Sequence, residues 1–274
     1  MEHAATETGT LIRALLLSLL FCASLASAED EFPNRAVYPD VPVIETEDLY
    51  RNLDKHVVVD VRSRYEYDTL HIRGAGNIPL NSSDFIEQVR TLASSHPGKT
   101  IAFYCNGKTC RKSYKAARRA RKYHIDNVVA YDAGIFDWAR AHPDQAVLLG
   151  QSPVPAGRLI STADFKKHLL DPDAFLEKAR EPGAIVLDIR DIRQREGISL
   201  LPPGREERVP LDNEKLRKYV EQAQAEGRPL LIYDAVGKQV RWLQYFLEQA
   251  GLNNYWFMKG GIRSYLAELQ SDYR

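Results

Sequence analysis

Residues 104–113 read Tyr104-Cys105-Asn106-Gly107-Lys108-Thr109-Cys110-Arg111-Lys112-Ser113, and they gather nucleophiles and cations into one short stretch. A cysteine attacks as its thiolate, so its surroundings decide whether it is reactive. The segment follows an apolar run, Ile101-Ala102-Phe103-Tyr104, and precedes a stretch patterned as a helix, Arg111–Tyr123. A turn between a strand and a helix points backbone N–H groups inward and makes a nest for an anion at the positive helix end. Cys105 sits at the base of that nest, where a thiolate that attacks electrophilic sulfur or phosphorus is stabilised. Lys108, Arg111 and Lys112 add positive charge, which lowers a thiol pKa and draws in an anionic substrate. Asn106, Gly107, Thr109, Cys110 and Ser113 complete the loop as candidate substrate contacts. The competing reading is a buried, inert cysteine at a strand end. The glycine, the cations and the strand–loop–helix context together favour the reactive one.

Cys110 adds a second thiol. Outside the cytoplasm a Cys-x4-Cys pair can close a disulfide, and a second thiol can resolve a persulfide or a sulfenic acid. Alternatively, Cys110 points into helix packing.

The elements that position this loop follow an α/β rhythm. VVVDV, TIAFY and NVVAY in the first half, and AIVLDI, PLLIY and NNYWFM in the second, are short runs rich in Val, Ile, Tyr and Phe. Such continuous apolar runs suit strands buried on both faces of a parallel sheet. Helical segments are expected at Phe85–Ser95, Arg111–Tyr123, Glu214–Glu226 and Arg241–Ala250, which places helices on both sheet faces. A longer helical hairpin is expected near Leu170–Glu181. Residues 29–42 show neither period and read as a loose N-terminal arm.

The halves echo each other. Val57–Arg62 (VVVDVR) returns as Ala184–Arg190 (AIVLDIR), and Gly74–Leu80 (GAGNIPL) as Gly204–Leu211 (GREERVPL). Ile101–Tyr104 returns as Leu230–Tyr233, and Asp132–Ile135 (DAGI) as Lys259–Ile262 (KGGI). Four landmarks in one order at nearly constant offset mean a duplicated domain rather than a solenoid. The domains are expected at 43–150 and 159–274, joined by a polar, proline-stiffened linker at 151–158.

The first 28 residues read as a secretory signal: Arg13, a short apolar run from Ala14 to Phe21, then Ala26-Ser27-Ala28 as an A-x-A cleavage pattern. Cys22 does not fit a lipoprotein signal, because bulky Phe21 precedes it. Cleavage after Ala28 leaves Cys105 and Cys110 as the two cysteines, in a protein exported to the periplasm if its source is Gram-negative. No apolar run is long enough to span a bilayer, so no membrane contact is expected after cleavage. The chain has 274 residues with 37 Lys+Arg against 37 Asp+Glu. That balance argues against a chain built as a whole to coat nucleic acid. Lys108, Arg111, Lys112, Lys115, Arg118, Arg119, Arg121 and Lys122 form a local basic run without an acid, read mainly as a solvated helix face. The histidines show no metal-ligand spacing, and no G-x-G-x-x-G or Walker-type loop occurs, so neither a metal nor another cofactor is expected.

With these motifs in order, the sequence resembles the rhodanese family in its tandem form, from about Val43 to Leu269. Asp60-Val61-Arg62 is similar to the family's strand motif. His71-Ile72-Arg73-Gly74-Ala75-Gly76-Asn77-Ile78-Pro79 is similar to its H-I-x-G-A-x-N-I-P signature. Cys105 falls at the place of the catalytic cysteine, and Gly134–Trp138 resembles the closing G-x-x-x-W turn. The resemblance implies two tandem domains, each a mainly parallel sheet with helices on both faces. It implies that Cys105 takes sulfane sulfur from an anionic donor such as thiosulfate, and passes it from a persulfide to a thiol or cyanide-like acceptor or a protein partner. Asp60, Arg62 and His71 are then supporting residues, with His71 a hydrogen-bonded neighbour of the pocket rather than a base.

Departures from the pattern matter as much. Common single-domain members resemble C-x-x-G-x-R-S, whereas Ser113 lies eight positions after Cys105, so either Arg111 or Lys112 stands for the family's arginine. A longer loop implies a wider pocket and a donor other than thiosulfate as a real option. Cys105 to Arg111 also matches C-x5-R, the loop of cysteine phosphatases and of arsenate-reductase-like enzymes, though no general acid can be assigned. A non-catalytic binding module or a thiol-redox sensor using Cys105 and Cys110 is the remaining alternative. The second copy carries Asp234 at the cysteine position and Leu201 at the place of His71. A carboxylate cannot carry sulfane sulfur, so that copy reads as shielding or stabilising rather than catalytic. In two-domain members the active site usually lies in the C-terminal copy, and here the order is reversed.

Overall fold

Strands buried on both faces need their backbone groups paired within the sheet, and each half of the chain meets this need with parallel neighbours. The computed structural model describes residues 31–194 and 199–272. Those residues form two compact units, 31–62 with 72–142 and 63–71 with 143–272. The expected signal segment, including Cys22, lies outside the described residues.

In the first unit, β1 (His56–Asp60), β2 (Gly76–Asn77), β3 (Thr100–Tyr104) and β4 (Val128–Tyr131) stand in the order β2-β1-β3-β4, all parallel. A bridge from Val43 to Ala130 extends the sheet past β4. Along β3, Ile101, Ala102, Phe103 and Tyr104 are all buried, which is why the run shows no alternation. One face packs Val59, Ile101, Phe103 and Cys105 against Phe85 and Val89 of the helix Phe85–Ser95 and Tyr114, Ala117 and Ala120 of the helix Lys112–Lys122. On the other side, Tyr131 meets Trp138 of the helix Gly134–Ala141 edge to face, with ring centroids 5.7 Å apart. What resembles a closing G-x-x-x-W turn is therefore the first turn of a helix that continues to Ala141.

In the second unit, β5 (Leu169–Leu170), β6 (Ile185–Asp188), β7 (Glu207–Arg208), β8 (Leu230–Tyr233) and β9 (Tyr255–Met258) stand in the order β5-β9-β8-β6-β7, again parallel. Position by position this is the order of the first unit, with β5 in the place of the Val43 bridge. The helices Asn213–Glu226 and Val240–Gln249 lie within a residue of their expected starts and ends. The expected hairpin near Leu170 does not form. Leu169–Leu170 pairs as an edge strand, and Pro172 then opens a single helix to Arg180, since its fixed φ and missing N–H suit a first turn.

The arm is not loose. Val41 and Tyr38 are buried in the first core, Tyr38 stacks on Tyr114 with centroids 5.1 Å apart, and Arg35 pairs with buried Asp132. Part of the basic run serves this docking. Arg118 pairs with Asp40 and lies over the Tyr38 ring, and Arg121 donates to the Asp40 carbonyl. The run is thus an anchoring surface as well as a solvated face; the arm's lack of period concealed this, because docking through single side chains needs no repeat.

Each central strand of the Asp-x-Arg motif ends in a wholly buried carboxylate. Asp60 accepts from the Arg62 backbone N–H at 2.9 Å and from its Nε at 2.9 Å, and Asp188 accepts the same pair from Arg190 at 3.0 and 2.8 Å. Removing one partner of such a pair leaves a buried charge uncompensated, at a cost of about 3–5 kcal/mol. Asp60→Ala should therefore lower amide-exchange protection across residues 101–104 by that amount and leave 230–233 unchanged. Native-state hydrogen exchange checks this, and equal protection loss in both sheets would show that the pair does not act locally.

Candidate active site

β3 ends at Tyr104, and the next residue, Cys105, is only 1% exposed. Its neighbours on the loop are more open: Asn106, Gly107, Lys108 and Cys110 are partly buried and Thr109 is exposed. The loop folds back through Cys110 N–H donating to the Gly107 carbonyl at 2.8 Å. This turn brings the two cysteines together, and Cys105 and Cys110 are joined as a disulfide with their Cα atoms 6.4 Å apart. The alternative that Cys110 simply faces helix packing is replaced by this pairing, although its side chain also touches the first core. In this oxidised form the Cys105 sulfur marks where the thiolate of the reduced protein stands. It lies 3.9 Å from Oγ of Ser113, a buried hydroxyl in the first turn of the helix Lys112–Lys122. A thiolate there faces a hydroxyl donor and the positive end of an 11-residue helix.

Arg62 connects the strand end to the loop. Its guanidinium holds Asp60 and donates from Nη1 to Oδ1 of Asn106 at 3.2 Å. Asn77 in turn donates to the carbonyls of Asp60 and Arg62. Asp60, Arg62 and Asn106 thus form one connected set beneath Cys105. His71 is not part of it: its ring stacks on Tyr67, and Nδ1 meets the Tyr67 carbonyl at 2.7 Å.

The cations behave differently from one another. Lys108 pairs with Glu31 and lies 3.4 Å from Asp137, over the ring of Phe32. These pairings raise the Lys108 pKa, chiefly through the Glu31 hydrogen bond. Its charge is therefore shared with two acids rather than directed at Cys105 alone. Arg111 donates from Nε to Oδ1 of Asn34 at 3.1 Å, and Asn34 Nδ2 donates to the Lys108 carbonyl at 3.0 Å. Arg111 caps the helix, and Lys112 is its first residue.

Sequence reasoning missed Asn34. It is 3% exposed and spans the loop from the arm, but a single asparagine in an aperiodic segment carries no signal. Asp132 was also missed as a site residue. It accepts from Arg35 Nε at 2.8 Å and from the Tyr114 hydroxyl, fixing arm and helix together. Burial first, and then this carboxylate, push the Tyr114 phenol above its ordinary range, so it stays a protonated donor.

The second unit shows what the same backbone does with an anion of its own. Asp234 follows β8 as Cys105 follows β3, and its carboxylate accepts from the N–H groups of Val236 (2.9 Å), Gly237, Gln239 (2.6 Å) and Val240 (3.3 Å). In this turn the N–H groups form a nest, and Asp234 fills it.

Both loops are closed by a glycine. Gly134 has φ +72°, and a Cβ on it would stand 2.4 Å from the Gly107 nitrogen; Gly261 has φ +64°, with a Cβ 2.5 Å from the backbone carbonyl oxygen of Asp234. The echo of DAGI in KGGI therefore marks a close backbone approach that only glycine allows. Gly134→Ala should cost at least about 2 kcal/mol and speed alkylation of reduced Cys105 by displacing the loop. Gly98→Ala is the control, because Gly98 has φ +82° with nothing within 4 Å of its Cβ position. Equal loss in the two variants, read by thermal unfolding and iodoacetamide kinetics, would refute a role for the close approach.

Residues 45–141 match the family model described as the rhodanese-like domain. No curated protein matches the chain. Among solved structures, the BH2092 protein of Bacillus halodurans is 22% identical over 49% of this chain and 98% of its own, with a TM-score of 0.37. A rhodanese-related protein from Thermoplasma volcanium is 27% identical over 36% of this chain and 92% of its own, with a TM-score of 0.31. The thiosulfate sulfurtransferase of Pseudomonas aeruginosa is 22% identical over 82% of this chain and 44% of its own, with a TM-score of 0.35. The described α/β architecture and the family model agree on the first unit: the chain carries a rhodanese-like domain over residues 45–141.

Proposed function

We propose that the protein is an exported sulfurtransferase in which Cys105 takes sulfane sulfur from an anionic, thiosulfate-like donor. The observation that supports this best is the position of Cys105, buried at a strand end, beside the Ser113 hydroxyl and at the N-terminal end of the helix Lys112–Lys122. There the reduced thiolate attacks the outer sulfur of the donor. A sulfur–sulfur bond forms to Cys105, the donor's own sulfur–sulfur bond breaks, and sulfite leaves with the electron pair. Donors placed around an anion serve the thiolate first, then the developing sulfite charge and the persulfide. Asn106, Gly107, Lys108, Thr109, Arg111 and Lys112 form the donor's surroundings in this reading, and Asp60 and Arg62 hold the loop from below. The persulfide then passes to a thiol, to cyanide, or to a protein acceptor.

The second unit reads as a degenerate copy of the same domain. Asp234 cannot carry sulfane sulfur, and its carboxylate already takes the N–H groups that a donor anion would need. Export rests on the signal-like first 28 residues and on a Cys105–Cys110 disulfide, which persists in an oxidising compartment. Among the described residues no helix is long and apolar enough to cross a membrane.

The disulfide also supports a second reading, a thiol-redox sensor that uses the pair without turnover. Intact-mass analysis separates the two. Reduced Cys110→Ser protein treated with thiosulfate should gain one sulfur atom, which cyanide removes as thiocyanate, and Cys105→Ser should gain none. Failure of Cys110→Ser to take up sulfur from thiosulfate or from a persulfide donor would transfer the site to the redox-sensing reading.

A further inference from the structure

Nucleophile, acceptor and exit route all lie within one loop. We propose that Cys110 is the first acceptor of the Cys105 persulfide, so that the domain releases its sulfur as hydrogen sulfide and is restored by a dithiol reductant that attacks Cys110. This deepens the sulfurtransferase reading and rests on it.

Three observations carry the inference. The two sulfurs are bonded, so the reduced loop brings Cys110 within reach of Cys105 without rearranging the sheet. The bond joins residues only 5 apart in sequence, so it closes a very short loop and removes little freedom from the unfolded chain. A purely stabilising disulfide would gain more from a longer span. It also ties up the cysteine at the base of the nest, which a stabilising bond has no reason to use. Third, exposure is unequal. Cys105 is 1% exposed, whereas Cys110 is partly open beside exposed Thr109. Asn34 braces the loop on both sides of that opening, at the Lys108 carbonyl and at Arg111.

The chemistry balances. After sulfur uptake, the Cys110 thiolate attacks Sγ of the protonated Cys105 persulfide. The Cys105–Cys110 bond forms, the bond from Cys105 to its outer sulfur breaks, and hydrosulfide departs with the electron pair. In this step the outer sulfur is reduced and the Cys110 sulfur is oxidised, while the Cys105 sulfur keeps the oxidation level it reached in the persulfide. A dithiol then supplies two electrons: one thiolate attacks the more exposed Cys110, Cys105 leaves as thiolate, and the second thiol of the reductant displaces Cys110. Cys105 is the leaving group because the reductant reaches the more open Cys110, and the departing thiolate faces the Ser113 hydroxyl and the helix end.

The experiment uses the full chain, fully reduced and then freed of reductant under anaerobic conditions, with thiosulfate as the donor. Wild-type protein should release one sulfide per chain and finish as the disulfide without an added sulfur. Cys110→Ser should keep the added sulfur and release sulfide at least about tenfold more slowly, because an intramolecular attack has been lost. A wild-type protein that instead holds a lasting persulfide and releases no sulfide overturns the inference while leaving the sulfurtransferase reading intact. If Cys110→Ser gains no sulfur at all, both fall. The direction of reduction has its own readout: oxidised wild type treated with glutathione and quenched by alkylation should carry glutathione on Cys110 and the alkyl group on Cys105. The reverse labelling overturns the assignment of Cys110 as the point of attack.

Discussion

A carboxylate buried at the C-terminal end of a central strand must be neutralised where water cannot reach it, and the first unit is arranged around meeting that demand. Asp60 and Arg62 are both fully buried, so their attraction acts in a medium of low polarity and each would be costly to keep alone. The arginine does more than neutralise. With Nε and Nη2 committed to Asp60, Nη1 is left directed at Asn106, and the loop that follows Cys105 is pinned to the sheet. The parallel order β2-β1-β3-β4 makes this geometry possible, because β1 and β3 are neighbours and Asp60 pairs in register with Tyr104. Cys105 is thus one residue beyond a register point set by the sheet.

Corresponding strands of the two units are followed by different side chains, Cys105 after β3 and Asp234 after β8. In the second, four N–H groups converge on the buried Asp234 carboxylate. In the first, Cys105 follows the corresponding strand and is joined to Cys110. A carboxylate that accepts these N–H groups satisfies the turn and stabilises the fold. The glycine that closes each loop stands at Gly134 in one unit and Gly261 in the other.

Much of this was legible in the sequence because it is periodic or local. Continuous apolar runs gave the central strands, and VVVDVR against AIVLDIR placed Asp60 and Asp188 at corresponding points of the two halves. The strand–loop–helix context singled out Cys105, and Cys-x4-Cys raised the pairing that the loop adopts. The misses are of another kind. Leu169–Leu170 became an edge strand because β9 offered it unpaired backbone, which no local propensity reports. The arm docks through Asn34, Arg35, Val41 and Tyr38, each meeting a different element, so no period betrays it. Long-range single contacts are invisible to a reading built on spacing.

The arm also changes how a Cys105 thiolate would be held. Sequence alone counts Lys108 as an activating charge, but the fold sets it against Glu31 and Asp137. Surface pairs of this sort contribute about 0–1 kcal/mol and weaken with salt. A helix N-terminus gives roughly 0.3–1 kcal/mol at exposed sites and up to about 2 kcal/mol in partly buried geometries, and Cys105 is buried. The hydroxyl of Ser113 adds a donor fixed by packing rather than by a flexible chain. The larger share of thiolate stabilisation therefore falls to groups fixed by backbone geometry. Lys108 is left to fasten the arm, through Glu31 and the Phe32 ring, across the loop that it was expected to activate.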